Sequence, residues 1–169
     1  MFKFFKKKEG PTEIANRVHV ETLDLFKEIG ILPTLAVMHR AALHGQVSDS
    51  ECNDLALGAY RTLILATGVV RYRMIQETGD EEAAVRLANS FSESSGLSNI
   101  VEMILESIPF NKVELSAVTD EANFLFQAAT LIDRASRQKQ FKVAYELWRT
   151  CAKGEYLELP KVYAEASKQ

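Results

Sequence analysis

The histidines of this chain do not have the spacing of a metal site. His39 and His44 are five residues apart, which places them about 140° apart around a helix, so they do not point at one ion. No Glu-x-x-His motif occurs, which removes the main signature of a di-iron carboxylate bundle. The sequence therefore predicts no metal site at its histidines.

A carboxylate group on the first predicted helix has a simpler interpretation. Glu21, Asp24 and Glu28 share one helical face. Arg17 lies four residues before Glu21, and Lys27 lies three residues after Asp24. Charges at these spacings form ion pairs on a solvated surface, so we predict an ion-paired face here rather than a cation site.

The candidate nucleophile is Cys52, in the first turns of a predicted helix, where the helix dipole favours a thiolate. Asp49, Glu51 and Asp54 surround it and oppose that effect. Gly-rich phosphate loops, nucleophile elbows and zinc-protease motifs do not occur. We predict a non-enzymatic protein with no catalytic residues and no cofactor. An enzyme or small-ligand carrier with a pocket between helices remains an alternative, because such pockets leave few marks in a sequence.

The first eight residues, MFKFFKKK, are both aromatic and basic. Three interpretations stay open: a solvated tail, a weak contact with an anionic membrane, or an arm for nucleic acid. Each cation near an anionic bilayer contributes about 1 kcal/mol, but durable anchoring needs a second signal. The membrane alternative makes the protein membrane-peripheral, and its contact residues are Phe2, Phe4, Phe5, Lys6, Lys7 and Lys8.

Charge is unevenly distributed although the net charge is only −3. Residues 75–133 carry eleven Asp and Glu against two Lys and Arg, whereas both flanking segments are mildly basic. The middle segment is therefore a candidate surface for a basic partner, provided that folding does not neutralise it. Its candidate binding residues, expected at exposed helix ends and loops, are Asp80, Glu81, Glu82 and Glu93.

Apolar periodicity and capping signals predict an all-α fold. It is a single-domain bundle of about six or seven helices, with residues 1–10 as a flexible tail and 11–169 as the helical domain. Thr12, Ser48, Asp80, Ser98 and Thr119 are the expected N-caps. The serine-rich stretch SFSESSGLSN is expected to be a loop. Further helices are expected at about 33–44, 138–153 and from 160 onward.

The longest predicted helix, about 49–78, is also the most informative. Between Leu55 and Val70 its single charge is Arg61, and apolar residues face every direction, which is typical of the buried centre of a bundle. We expect Leu63 and Val70 to be buried. One side of this helix is small enough for close helix packing, through Gly58, Thr62 and Ala66.

The helix at about 138–153 has an apolar face opposite a basic one, a pattern shared by bundle helices and nucleic-acid-binding helices. Its cations are Lys139, Lys142, Arg149 and Lys153, with Glu146 among them. The isoelectric point of about 5.7 argues against nucleic acid, so we predict a packed bundle helix. We conclude that the chain is a cytoplasmic interaction protein whose partner is another protein. Its oligomeric state and partner identity stay open.

Overall fold

The computed structural model describes residues 9–46, 48–107, 118, 120–166 and 168. Within these residues the fold is an all-helical bundle around one long helix, as predicted. The helices are α1 (Pro11–Glu28), α2 (Ile31–Leu43), α3 (Asp49–Thr78), α4 (Glu81–Ser94), α5 (Leu97–Ser107), α6 (Ala122–Arg137), α7 (Phe141–Ala152) and α8 (Leu159–Ala166), with a 3₁₀ turn at Tyr156–Glu158 before α8.

Helix α3 is the centre of the bundle and contacts α1, α2, α4, α5, α6 and α7. Its 30 residues span about 45 Å. Leu65, Val69 and Val70 are fully buried, which confirms the expected core position of Val70. Leu63 was expected to be equally buried, but it is only partly buried at the edge of the core.

Two ion pairs fix the direction of α6 relative to α3. Arg61 of α3 pairs with Glu121 at the start of α6, and Arg73 pairs with Asp133. The second pair lies twelve residues further along both helices, so the helices run parallel. A parallel pair needs a connection that returns along the bundle, and α4 and α5 provide most of it.

Glycines on α3 allow neighbouring helices to approach closely, as the small-residue pattern predicts. A Cβ atom on Gly58 would lie 3.1 Å from the backbone oxygen of Ala152 at the end of α7. On Gly68 it would lie 3.3 Å from the Cβ atom of Ala129 on α6. Both distances are tighter than ordinary van der Waals contact, so larger residues would push the helices apart.

Two helix starts confirm the predicted caps. The Ser48 hydroxyl accepts a hydrogen bond from the Glu51 amide (3.3 Å), and a Glu51 carboxylate oxygen accepts one from the Ser48 amide (2.7 Å). This is the reciprocal capping box that the sequence indicates. Asp80 accepts a bond from the Ala83 amide (2.9 Å) at the start of α4.

Helix α1 begins before the predicted cap, so the assignment of Thr12 is wrong. Gly10 occupies the N-cap position and Pro11 the first helical position, where its fixed φ angle suits the helix and its missing N–H is not needed. The Glu13 carboxylate accepts a bond from the Gly10 amide (2.8 Å). Helix α2 likewise begins at Ile31, ahead of the predicted start at Pro33.

The predicted serine-rich loop is wrong, because α4 continues to Ser94 and α5 begins at Leu97. Buried Phe91 anchors the end of α4 in the core. The Ser94 hydroxyl donates to the Ser90 carbonyl one turn back (2.7 Å), which lets serines continue the helix. Ser98 donates to the Ser92 carbonyl instead of capping α5. The expected cap Thr119 lies outside the described residues.

Two predictions about helix surfaces agree with the structure. Arg17 pairs with Glu21 (3.6 Å) and Lys27 with Asp24 (3.6 Å), so these two α1 carboxylates are ion-paired as predicted. Helix α7, Phe141–Ala152, lies within the predicted range and packs against α3 and α6. Its buried residues are Val143, Ala144, Leu147, Trp148, Thr150 and Cys151.

Candidate functional site

A groove of about 740 Å³ lies between α2, the first half of α3 and the second half of α7. Its walls are mainly apolar. Helix α2 forms one wall with Leu35, Val37, Met38 and Ala41; α3 forms the floor with Leu55, Gly58, Ala59 and Thr62; and α7 closes the other side with Tyr145, Trp148 and Ala152.

The rim of the groove is apolar on its α2 side. Val37 is 67% exposed and Met38 is 42% exposed, although both are large apolar side chains. Ile31 and Leu35 on the same helix are fully or almost fully buried against the bundle. Helix α2 is therefore apolar on its core face and on its outer face, and its outer face continues the groove onto the surface.

Polar groups of the groove floor and of its α7 wall are hydrogen-bonded to one another. The Trp148 indole Nε1 donates to the Thr62 hydroxyl across the α3–α7 contact (3.0 Å). The Thr62 hydroxyl in turn donates to the Gly58 carbonyl (2.6 Å). Trp148 is the single tryptophan of the chain, so it is also an internal fluorescence reporter for this site.

Arg61 joins the groove to the start of α6. Its Nε atom lies 2.9 Å from one Glu121 oxygen, and its Nη2 atom lies 3.1 Å from the other. Its Nη1 atom donates to the Ala152 carbonyl at the end of α7 (3.3 Å). The single charge predicted in the middle of α3 thus pairs with a carboxylate and donates to a carbonyl at a helix end.

Tyr156 completes this cluster. Its hydroxyl donates to Glu121 (2.6 Å), and its ring stacks on Phe124. The hydrogen bonds from Arg61 lower the pKa of Glu121, and that from Tyr156 adds to this. Burial, followed by the hydrogen bond to Glu121, raises the pKa of Tyr156 well above its ordinary value. Each group is held in its charge state at neutral pH, which suits a structural clamp better than proton transfer.

The pKa shift of Glu121 predicts a dependence of stability on acid. Since its folded pKa lies below the ordinary value of 4.5, its stabilising contribution is complete above pH 4.5 and is lost as pH falls through the folded value. Glu121→Gln should therefore lower the free energy of unfolding most at neutral pH, and the difference from the unaltered chain should shrink in acid. Urea unfolding from pH 3 to 7 measures this, with exposed Glu93→Gln as control. A constant difference across that range would contradict the assignment.

No protein-family model, curated protein or solved structure matches this chain. Within the described residues, no helix has the length and apolar character needed to cross a bilayer.

The structure does not bring the predicted binding residues into the groove. Asp80, Glu81, Glu82 and Glu93 are exposed at the ends and outer face of α4. Glu82 pairs with Arg86 of the same helix. The basic and aromatic residues Phe2, Phe4, Phe5, Lys6, Lys7 and Lys8 lie outside the described residues.

The acidic middle segment is partly neutralised by cations that sequence analysis did not select. Arg17 and Arg137 flank Glu77, at 3.2 and 4.0 Å. Glu121 and Asp133 pair with the two α3 arginines described above. On α7, Arg149 pairs with Glu146 of the same helix (3.6 Å) and lines the groove together with Lys153.

Within the described residues, no group of three or more His, Cys, Asp or Glu is placed to hold a metal ion. The candidate nucleophile Cys52 is half-buried on α3. Burial raises the pKa of the Cys151 thiol to about 12, so it is protonated at neutral pH.

The groove was not predicted from the sequence because the apolar residues of its α2 wall resemble core residues. One feature of the sequence could have indicated an open apolar surface on α2. Apolar residues occupy more than one face of this short helix, at Ile31, Leu35, Val37 and Met38. Such a helix has more apolar surface than one bundle contact buries. Only the packing shows which of those faces stays open.

Proposed function

We propose that this chain is a protein-binding module whose groove holds an amphipathic helix of a partner protein. The observation that carries this is the continuous apolar surface formed by the groove and by exposed Val37 and Met38. Contiguous exposed apolar surface of this kind is typical of interaction sites. A helix lying in a groove between helices is a recurring mode of peptide recognition.

A small ligand in the groove would cover less of this exposed apolar surface than a partner helix would. The groove volume falls within the roughly 300–1,000 Å³ of small-molecule sites. However, Val37 and Met38 on the α2 side of the groove are 67% and 42% exposed, so a molecule confined to the interior would leave much of this apolar surface in water. An apolar helical face several turns long would cover the rim and fill the groove at once, so it buries more apolar area.

A fluorescence titration tests this proposal with a tryptophan-free amphipathic helix whose polar face is glutamine. Its docking should change the emission of Trp148 at the groove floor. Val37→Asp should weaken binding at least about tenfold, because a desolvated carboxylate would face the apolar helix. Val20→Asp is the matched control, since Val20 is a similarly exposed valine on α1.

Three outcomes of this titration are informative. A saturable change in emission that Val37→Asp weakens and Val20→Asp preserves supports the proposal. An emission spectrum that does not respond to the helix at any concentration contradicts it. A response to a small apolar dye together with none to the helix would favour a ligand carrier instead.

A second candidate surface is the outer face of α4. Glu81 and Glu93 are exposed there, which keeps recruitment of a basic partner as an alternative mode of protein binding. The double change Glu81→Lys and Glu82→Lys distinguishes the two surfaces in the same titration. It should leave binding in the groove unaltered, because α4 does not line the groove.

A further inference from the structure

Helix α2 has an exposed side that combines apolar and basic residues. Four exposed residues follow one another at spacings of four, three and four, so they share one side of the helix: Pro33, Val37, Arg40 and His44. No Asp or Glu occurs in residues 29–48, so Arg40 is the only residue of α2 with a formal charge at neutral pH. A surface that fits this side of α2 is therefore apolar and has an acidic group beside it.

The groove beside α2 is acidic at the end where α3 begins. Glu51 and Asp54 line it from the first two turns of α3. Glu155 also lines it and follows the end of α7, which packs against Gly58 one turn beyond Asp54. All three carboxylates belong to exposed residues, so they are placed to meet a basic group on an occupant.

Cations of the groove offset these carboxylates only in part. Lys153 lines the same end of the groove. Arg149 is paired with Glu146 on its own helix (3.6 Å). Arg61 is paired with Glu121 (2.9 Å). Among the described lining residues, this end therefore has three carboxylates against one lysine, so its net charge is negative.

Arg40 lies at the level of these carboxylates but outside the groove of its own chain. A short connection joins Leu43 to Asp49, so the second half of α2 lies beside the first turns of α3. Arg40 belongs to that half, yet it is not among the residues that line the groove. Its exposed charge is therefore directed to a second molecule rather than to the groove of its own chain.

From this arrangement, and resting on the proposed function, we infer that the partner is a second copy of this chain and that the docking helix is its α2. The two copies are related by a twofold axis that runs parallel to α2 along the mouth of the groove. Such a rotation places α2 of each copy over the groove of the other and preserves its level along the bundle. Val37 of one copy then meets the apolar groove of the other, and Arg40 meets Asp54 and Glu155.

The length of α2 matches the length of the groove. Its 13 residues span about 20 Å. The α3 residues that line the groove run from Glu51 to Thr62, a distance of about 17 Å. Helix α2 of a second copy therefore covers the groove from end to end.

A single surface of the chain supplies both halves of this contact, as a dimer with twofold symmetry requires. Val37 and Met38 are 67% and 42% exposed in the single chain, and the dimer covers them in both copies. The pairing of Arg40 with the acidic end of the groove is likewise made twice. Each apolar contact and each charge pair therefore contributes to the dimer two times.

The first test is sedimentation of the full chain between about 2 µM and about 200 µM. The weight-average mass should rise from 18.9 kDa toward twice that value. Trp148 emission should change over the same concentrations, because α2 of the second copy covers the groove. Val37→Asp should weaken the dimer at least about tenfold, since its carboxylate would face the apolar groove. Val20→Asp, at a similarly exposed valine on α1, should leave the dimer intact.

The second test exchanges charges between chains. Arg40→Glu and Asp54→Lys should each weaken the dimer at least about tenfold, because each places like charges opposite one another. A 1:1 mixture of the two variants should form a dimer about as tight as that of the unaltered chain, since each introduced charge then meets an opposite one. Recovery on mixing requires contact between chains, which a structural role of either residue within one chain would not produce.

The outcomes separate this inference from the proposed function. Dimerisation that Val37→Asp disrupts, that Val20→Asp preserves and that mixing restores supports the inference. A chain that stays monomeric overturns it, and the titration with a glutamine-faced helix then decides the proposed function independently. A dimer that resists Val37→Asp and leaves Trp148 emission constant on dilution uses another face, which also overturns the inference. Charge variants that stay monomeric when mixed would show that Arg40 and Asp54 do not meet, which contradicts the twofold arrangement.

Discussion

Replacement of Asp133 by alanine should lower the free energy of unfolding by about 3–5 kcal/mol. Asp133 and Arg73 form the most deeply buried ion pair described, with side chains only 4% and 5% exposed. Removal of the carboxylate leaves the Arg73 guanidinium inside the bundle without its counter-charge. Its remaining partners are neutral: the hydroxyl of Ser136 at 2.8 Å and that of Thr22 at 3.2 Å.

Urea unfolding followed by circular dichroism measures this effect, and Arg137→Ala is the matched control. Arg137 also donates to Asp133 (2.8 Å), but its side chain is 47% exposed and its pair is screened by water. Its loss should cost at most about 1 kcal/mol. If the two variants were equally stable, the buried pair would not be the tie between α1, α3 and α6 that the geometry indicates.

A double replacement separates the destabilisation caused by an unpaired buried charge from the contribution of the ion pair to the free energy of unfolding. The double replacement Arg73→Met and Asp133→Leu removes both charges and substitutes apolar groups of similar length. It should recover a large part of the stability lost in Asp133→Ala, because buried ion pairs are often replaceable by well-packed apolar residues. Recovery would show that most of the stability lost in Asp133→Ala is the cost of leaving the buried Arg73 charge unpaired.

Leu65→Ala should lower the free energy of unfolding by about 2–5 kcal/mol, and Leu63→Ala should cost clearly less. The two leucines are neighbours on α3, but Leu65 is fully buried whereas Leu63 is only partly buried. Truncation of Leu65 leaves a cavity inside the bundle. Around Leu63, solvent can occupy part of the vacated space.

Thermal melting distinguishes these variants, since each kcal/mol corresponds to roughly 2–4 °C in a chain of this size. The pair controls for helix propensity, because both changes convert leucine to alanine in the interior of one helix. Equal shifts in the melting temperature would contradict the assignment of Leu65 as the inward-facing residue.

Much of the fold follows from local sequence. The capping box at Ser48 and Glu51 and the Asp80 cap are interactions between residues three apart, so their patterns specify them directly. The central helix is predictable because a run that is apolar on every face has no stable place except the middle of a bundle. The errors at Thr12 and in the serine-rich stretch have one cause. Capping residues and serines favour helix ends locally, but Pro11 and buried Phe91 outweighed them.

The register of distant helices and the groove were decided only by the tertiary structure. Arg61 and Glu121 are 60 residues apart, as are Arg73 and Asp133, and no local pattern connects residues so far apart. The distribution of charged residues along the sequence likewise did not predict which cation pairs with which carboxylate. Sequence periodicity shows that Val37 and Met38 are apolar, and it leaves open whether a neighbour covers them. The sequence by itself determined the helices and the buried central helix, because these depend on residues close together along the chain. The groove was decided by the tertiary structure, because no described helix packs over the outer face of α2.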